Sequence, residues 1–222
     1  GFGARWAEHL GRLPPTGQEA PLWIHAVSVG ETLAITPFIR ALKAERPELP
    51  ILLTTTTRTG AEQAAKLGDL VVHRYAPLDY PWAVSAFLST VKPRALWVME
   101  TELWPNMLFG CRDLGIPVYI LNARLSARSL RGYRLLRPLI GRALRTVKCV
   151  AAQSAADGRR FQKLGATAAQ VQVIGNLKYD VAVPDCLDAV RAAFSAALAR
   201  PRPVWLAASR ALQRAWRRSC SR

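Results

Sequence analysis

Two short acidic stretches hold the chemistry this sequence offers. In His25-Ala26-Val27-Ser28-Val29-Gly30-Glu31, a carboxylate follows a Ser-Val-Gly turn where an apolar run gives way to a helical pattern. Gly30 permits close backbone approach or a positive φ. Glu31 falls in the first helical turn, where an acid complements the helix dipole. The same position suits a general base facing a crevice. Because a helix N-terminus lowers a carboxylate's pKa, such a base is expected to stay ionised at neutral pH and to act through positioning more than basicity. The second stretch is Met99-Glu100-Thr101-Glu102-Leu103-Trp104-Pro105. If it is extended, Glu100 and Glu102 point to one face, and burying either unpaired would be costly. A pair of acids closing an apolar run favours function over a solvated helix cap. No nearby His or Asp adds recognisable ligand spacing, so no metal site is expected.

Positive charge stands elsewhere. The Thr54–Gln63 stretch, TTTTRTGAEQ, offers hydroxyls, Arg58 and Gly60 for an anion at a helix start. A Thr-rich strand end with an N-cap is an equally good reading. From Leu114 to Ala156 there is no acidic residue, while Arg124, Arg128, Arg131, Arg134, Arg137, Arg142, Arg145 and Lys148 follow one another among Leu, Ile and Tyr. Such a run suits an anionic lipid surface or nucleic acid phosphates. Lys178, in Asn176-Leu177-Lys178-Tyr179-Asp180, could meet substrate charge in a cleft, although a linker lysine is the ordinary reading. The three histidines read as structural. No nucleophile elbow, Walker loop or Gly-x-Gly-x-x-Gly is present.

These residues need elements to hold them. Seven short apolar runs recur, at 22–27, 51–56, 70–75, 95–100, 118–123, 148–153 and 171–175, and most gaps between them have helical patterns such as 31–45. Alternating apolar strands and helices predict an α/β fold, a Rossmann-like parallel sheet covered on both faces and doubly wound. Ligands of such sheets sit beyond the carboxyl ends of the strands, which is where the acidic turns fall. The organisation expected is a lead-in at 1–21, a domain at 22–180, and at 181–222 a linker and the start of a second sheet that is not completed. Residues 210–222 form a basic tail that does not fit that second domain.

Length and composition bound the rest. The chain has 222 residues, half of them hydrophobic, and a formal net charge of +16, which points to an anionic partner. The four cysteines are far apart and read as reduced thiols. No apolar run is long enough to span a membrane, and no signal peptide is evident. The chain begins with Gly and reads as a fragment.

Taken in order, HAVSVGETLA, TTTTRTGAEQ, METELWPN, NARLSARS, AAQSAADGRRFQKLGA and VIGNLKYD resemble the 3-deoxy-D-manno-octulosonic acid (Kdo) transferases, over Trp6 to Ser209. The resemblance implies the N-terminal half of a GT-B glycosyltransferase, with a truncated start of the second Rossmann-like domain. It implies transfer of Kdo from CMP-Kdo to a lipid A precursor at the cytoplasmic face of the bacterial inner membrane. By that resemblance Glu31 is the general base of an inverting reaction, and Glu100 and Lys178 support the transition state. Substrate contacts are expected from Ser28, Gly30, Arg58, Glu102 and Arg124. A monophosphate leaving group requires no metal, and no cofactor is expected. The partners implied are CMP-Kdo, the lipid A precursor and the anionic membrane surface, with no nucleic acid. Where family members have an apolar N-terminal anchor and continue LAAS with a Thr-His-x-Gly-Glu-type run, this chain has neither. It is therefore expected not to turn over CMP-Kdo alone. The alternative is a basic α/β protein that binds nucleic acid or anionic membranes without catalysis.

Overall fold

Each of the seven apolar runs forms a strand, and the seven strands make one parallel sheet. The computed structural model describes residues 6–14, 17 and 19–177. The order is α1 (Trp6–His9), β1 (Leu22–His25), α2 (Val29–Glu45), β2 (Ile51–Thr55), α3 (Arg58–Ala64), β3 (Val72–Tyr75), α4 (Pro81–Val91), β4 (Ala95–Met99), α5 (Pro105–Asp113), β5 (Val118–Ala123), α6 (Ala127–Tyr133), α7 (Arg137–Leu144), β6 (Cys149–Ala152), α8 (Ala155–Leu164) and β7 (Val171–Val173). All described residues belong to one unit, Gly1–Val181. Lys178 and the segment 181–222, with the tail at 210–222, lie outside the described residues.

The sheet order is β3-β2-β1-β4-β5-β6-β7. The chain winds outward from β1 to β3, crosses back to β4, and winds outward the other way. The switch point therefore lies between β1 and β4, which pair directly, His25 beside Val98. In open parallel sheets this is where a ligand crevice forms. Glu31 follows one of these strands and Glu100 the other.

Alternation within the strands splits the core in two. Trp23, Leu52, Leu96, Val98, Val118, Ile120 and Val150 face α4, α5, α7 and α8, with Phe87 and Phe161 at the centre. Leu22, Ile24, Ile51 and Leu53 face α2 and α3. Trp23 packs against Phe87 with the rings tilted at 39° and 4.6 Å between centroids, and burying each such side chain contributes roughly 1.5–3 kcal/mol. As the sequence predicts, helices lie on both faces of the sheet, but among the described residues no helix covers β4 and β5 on the α2 face. On the α2 face, Ala95, Trp97, Tyr119 and Leu121 of β4 and β5 line an open pocket and are only half-buried where their other-face neighbours are fully buried. The winding accounts for this: the only crossovers that put helices on that face, among the described residues, are β1 to β2 and β2 to β3.

The lead-in is stitched to the edge strand. The Tyr75 N–H donates to Glu8 Oε2 at 2.6 Å, the Leu78 N–H donates to the His9 carbonyl at 2.8 Å, and His9 Nδ1 lies 2.9 Å from the Ala76 carbonyl. Part of the β3 edge is thereby covered. Cys111 and Cys149 are free thiols, and burial pushes the Cys111 thiol up to about 12.

Helix α7 meets the end of α8 through two glycines. A Cβ on Gly141 would sit 2.9 Å from the Leu164 carbonyl oxygen, and one on Gly165 would sit 2.6 Å from Gly141 Cα. Both obstacles are backbone and cannot rotate away. Gly141→Ala should therefore destabilise the fold by about 1–3 kcal/mol, despite the gain of roughly 1 kcal/mol in helix propensity. Thermal unfolding checks this, and an unchanged or raised midpoint would contradict the close approach.

Candidate active site

The turn after β1 builds its own anchor for Glu31. Ser28 is extended (φ −122°, ψ 167°) and caps α2. The Glu31 carboxylate reaches back over this cap. Its Oε2 accepts the Val27 N–H at 2.9 Å, and its Oε1 accepts the Ser28 hydroxyl at 2.9 Å. The helix-cap role and a site role are thus combined in one side chain. Gly30 has no positive φ, and a Cβ there would meet only Ser28 Oγ, at 3.9 Å. What the glycine provides is open surface at the helix start.

The charge state of Glu31 differs from the sequence expectation. Its pKa is raised from 4.5 to about 7, chiefly by burial. The hydrogen bonds from Val27 and Ser28 pull it down, and the charges of Glu102 and Glu100 push it further up. First-turn position and two donors are outweighed by the loss of water around the carboxylate. A second helix start in the chain is built the same way. Ser154 caps α8 and hydrogen-bonds Asp157 three residues on, the same local arrangement. Asp157, however, also accepts the Leu125 N–H at 3.0 Å and pairs with Arg160 at 3.2 Å. Among the described residues Glu31 has no ion pair, and its charged neighbours are acids.

Those acids do not lie along an extended strand. β4 stops at Met99, and Glu100 turns into the left-handed region at φ +56°. Its N–H still donates to the Leu121 carbonyl at 2.9 Å. The Thr101 hydroxyl then donates to the Arg124 carbonyl, so the loops after β4 and β5 are joined. Glu102 accepts Trp104 Nε1–H at 2.7 Å, and its pKa is raised by burial and by Glu100. The Trp104 ring packs edge-on to His25 at 5.3 Å. His25 is fully buried, and desolvation lowers its pKa to about 4, so it is neutral at physiological pH. Burial, and then the Glu102 charge, raise the pKa of Tyr133 of α6, whose hydroxyl lies 3.5 Å from the Thr101 carbonyl.

The structure therefore brings together Ser28, Gly30, Glu31, Glu100 and Glu102 around the switch point. It adds Trp104, His25 and Tyr133, which were not singled out as site residues from sequence. Trp104 stands in the quoted METELWPN motif, but nothing in spacing reveals that its indole would hold Glu102. Arg58 and Arg124 are more loosely connected. The Arg58 side chain is 84% exposed and pairs with Glu62 at 3.0 Å. Its helix start is held by Thr57, whose hydroxyl accepts the Gly60 N–H at 3.1 Å and lies 3.2 Å from the Val27 carbonyl. Thr57 thus performs the N-cap role suggested for the threonine run. Arg58→Ala should change stability by less than about 0.5 kcal/mol, as exposed pairs do; a larger shift of the denaturation midpoint would contradict this reading of the pair. Arg124 is exposed and contributes its carbonyl to the Thr101 bond. Among the described residues no group of three or more His, Cys, Asp or Glu side chains is placed to hold a metal ion.

Comparison with known proteins follows the same outline. Residues 4–181 match the family described as 3-Deoxy-D-manno-octulosonic-acid transferase (kdotransferase). The chain is 40% identical over 201 residues to the 3-deoxy-D-manno-octulosonic acid transferase of Haemophilus influenzae, covering 88% of this chain and 45% of that one. It is 40% identical over 197 residues to the Bordetella pertussis protein of the same name, covering 86% and 45%. The chain thus spans about half the length of these relatives. Among solved structures, a UDP-N-acetylglucosamine 2-epimerase superposes with a TM-score of 0.52 at 13% identity, covering 72% of this chain and 47% of the other. S. aureus MnaA, solved with UDP, gives 0.52 at 15% identity, covering 78% and 52%. At such identities the likeness is one of fold.

Proposed function

Since this chain belongs to the Kdo transferase family, we propose that it forms the acceptor-side part of a glycosyltransferase that moves Kdo from CMP-Kdo to a lipid A precursor. The observation that carries the reading is Glu31: a buried carboxylate at the switch point, raised to about 7 and faced by acids. A general base is most effective when its pKa lies near the working pH. Structural capping alone would gain nothing from such a shift.

In the proposed reaction, Glu31 takes the proton from an acceptor sugar hydroxyl as its oxygen attacks the anomeric carbon of Kdo. The bond from that carbon to the CMP phosphate oxygen breaks, CMP leaves with the electron pair, and attack from the opposite face inverts the centre. Val27 N–H and the Ser28 hydroxyl hold the carboxylate in place, and the open surface at Gly30 leaves room for the acceptor. Glu100 orients the acceptor or offsets positive charge developing on the sugar. Lys178 offsets the Kdo carboxylate or the departing phosphate. A monophosphate leaving group needs no chelating metal, and no cofactor takes part.

The same proposal places the protein at the cytoplasmic face of the inner membrane, with the acid-free stretch against anionic lipid. In support, Leu135 is 90% exposed, and Leu136 and Leu139 are also exposed, among Arg131, Arg137 and Arg142. Basic residues near such a surface contribute about 1 kcal/mol each. No helix among the described residues is long and apolar enough to cross a membrane. Arg58 and Arg124 are assigned to the acceptor phosphates.

The test is a chimera in which residues 4–181 replace the matching segment of the Haemophilus influenzae relative. It would be incubated with CMP-Kdo and a tetra-acylated lipid A precursor. Kdo transfer is expected; a folded chimera that transfers none would reject the proposal. The 222-residue chain alone, assayed in parallel, is expected to be silent.

A further inference from the structure

The acidic turn is held from a distance by side chains that the proposed chemistry does not use. Glu100 has φ +56°, a conformation uncommon for residues other than glycine. It persists only where the surroundings over-determine it, and such outliers gather at functional sites. Here the surroundings are the loop after β5. The Thr101 hydroxyl donates to the Arg124 carbonyl. That carbonyl belongs to the same planar trans peptide as the Leu125 N–H, and in a trans peptide the two groups point in opposite directions. On its far edge the Leu125 N–H donates to Asp157 Oδ1 at 3.0 Å. The Leu125 carbonyl accepts Arg160 Nη1–H at 3.1 Å, and the same guanidinium nitrogen lies 3.2 Å from Asp157 Oδ1. Leu125 itself is fully buried. One peptide plane therefore bridges the acidic turn and the start of α8.

Capping α8 does not call for this. Ser154 Oγ already accepts the Asp157 N–H at 3.1 Å, and the serine hydroxyl donates to Asp157 Oδ2. That leaves Oδ1 and the Arg160 guanidinium turned to the backbone of another loop. At the matching helix start, the second Glu31 oxygen takes the N–H of Val27, four residues back. Asp157 instead reaches a residue 32 positions earlier. A charged acceptor strengthens the bond it receives and polarises the peptide, which strengthens the bond from Thr101 on the other edge.

We propose that Asp157 and Arg160 are positioning residues of the transfer reaction: they grip Leu125 by its N–H and its carbonyl, and through the shared Arg124–Leu125 peptide they fix Thr101 and the turn that presents Glu100 and Glu102 at the switch point. The inference rests on the reading of Glu100 as a group of that reaction. A left-handed turn with no outside hold relaxes toward commoner conformations, and its two carboxylates move with it. Misplacing a reacting group by about 1 Å can cost on the order of 100-fold in rate.

The grip is tested first in the 222-residue chain, by amide hydrogen exchange. Asp157→Ala deletes the acceptor, and the Leu125 amide should lose at least about tenfold in protection. Ala26 and Leu96, bonded elsewhere in the sheet, should exchange as in wild type. Asp157→Asn, which keeps an oxygen in place, should restore the protection. The positioning role is tested in the chimera. Arg160→Met should lower kcat about tenfold or more, with both KM values within about twofold. Arg160→Lys keeps a cation that can donate to both partners and should recover most of the rate. Thr101→Val cuts the path at its other end with little change of shape, and should reproduce the kcat loss even if a variant of α8 does not fold. The Thr101→Val, Arg160→Met double variant should be no slower than the worse single one, because both break one path. Unchanged Leu125 protection in Asp157→Ala overturns the grip. Unchanged kcat in a folded Arg160→Met or Thr101→Val chimera, or losses that multiply in the double variant, overturn the positioning role. If the unsubstituted chimera transfers no Kdo, the transferase reading has failed and takes the positioning role with it, whereas the exchange result still reports on the grip.

Discussion

Glu31→Gln in the chimera lowers Kdo transfer by about two to four orders of magnitude, the range that a positioned general base contributes. Glutamine keeps the size of the side chain, and its carbonyl oxygen can still accept the Val27 N–H that Glu31 accepts at 2.9 Å. The α2 start is therefore preserved and the loss falls on proton transfer. It should appear in kcat with little change in KM. The unsubstituted enzyme carries a second signature. With Glu31 at about 7, only about a tenth of the base is ionised at pH 6, so kcat/KM should rise roughly tenfold between pH 6 and pH 8 and then level. A variant retaining more than about a tenth of the activity, or a profile flat through pH 7, would return Glu31 to the role of a helix cap.

The same substitution should make the protein more stable, and only at high pH. Glu31 goes from an ordinary 4.5 to about 7 in the fold, so the folded state holds this proton more tightly than the unfolded chain. The stabilisation from that proton is fully present below about pH 4.5 and is lost as pH rises through about 7. Above that, the fold carries a buried ionised carboxylate, at a cost on the order of 3 kcal/mol. Glu31→Gln removes this cost. The variant should gain up to about 3 kcal/mol over wild type at pH 8 and less than about 1 kcal/mol at pH 5. For a domain of this size that is several degrees in melting temperature at pH 8. The comparison must be between the two proteins at each pH. His25, lowered to about 4, is protonated in the unfolded chain but not in the fold below about 6.5, which makes both proteins lose stability in acid. A gain of equal size at pH 5 and pH 8 would mean that Glu31 is not strained by its charge.

Much of this was legible in the sequence. Periodicity located all seven strands, because the strands of a parallel sheet flanked by helices are nearly continuous apolar runs. The Ser-Val-Gly turn and the helical pattern at 31–45 announced α2, and the rule that ligands sit beyond the carboxyl ends of the strands pointed to the two acidic turns. Three things were not legible. The proton affinity of Glu31 depends on burial and on Glu100 and Glu102, which are about seventy residues away in the chain; a local reading sees the dipole and the cap and obtains the opposite sign. The left-handed turn at Glu100 is invisible because glutamate gives no sign of a positive φ. Trp104 has no role assigned by spacing, and only its indole bonding Glu102 brings it into the site. The half-covered α2 face also escaped, since covered and uncovered strands have the same apolar residues: Trp97 and Tyr119 look no different in sequence from Trp23.

The paired helix starts at Ser28–Glu31 and Ser154–Asp157 bear on how such a site arises. Both are serine caps with an acid three residues on, and both acids also bond a backbone N–H. They differ in company: Asp157 has Arg160 one turn along its own helix, and Glu31 has two acids from another loop. A cap is selected for stability in any helix, so a carboxylate already aligned over a strand end is available before any catalysis exists. Burying it away from water, with acids as its charged neighbours, then raises its proton affinity without rebuilding the backbone. For an engineer the route follows the same order: at a serine-capped helix facing a crevice, take the carboxylate out of water first, leave it without a basic partner, and only then add an acid across the gap.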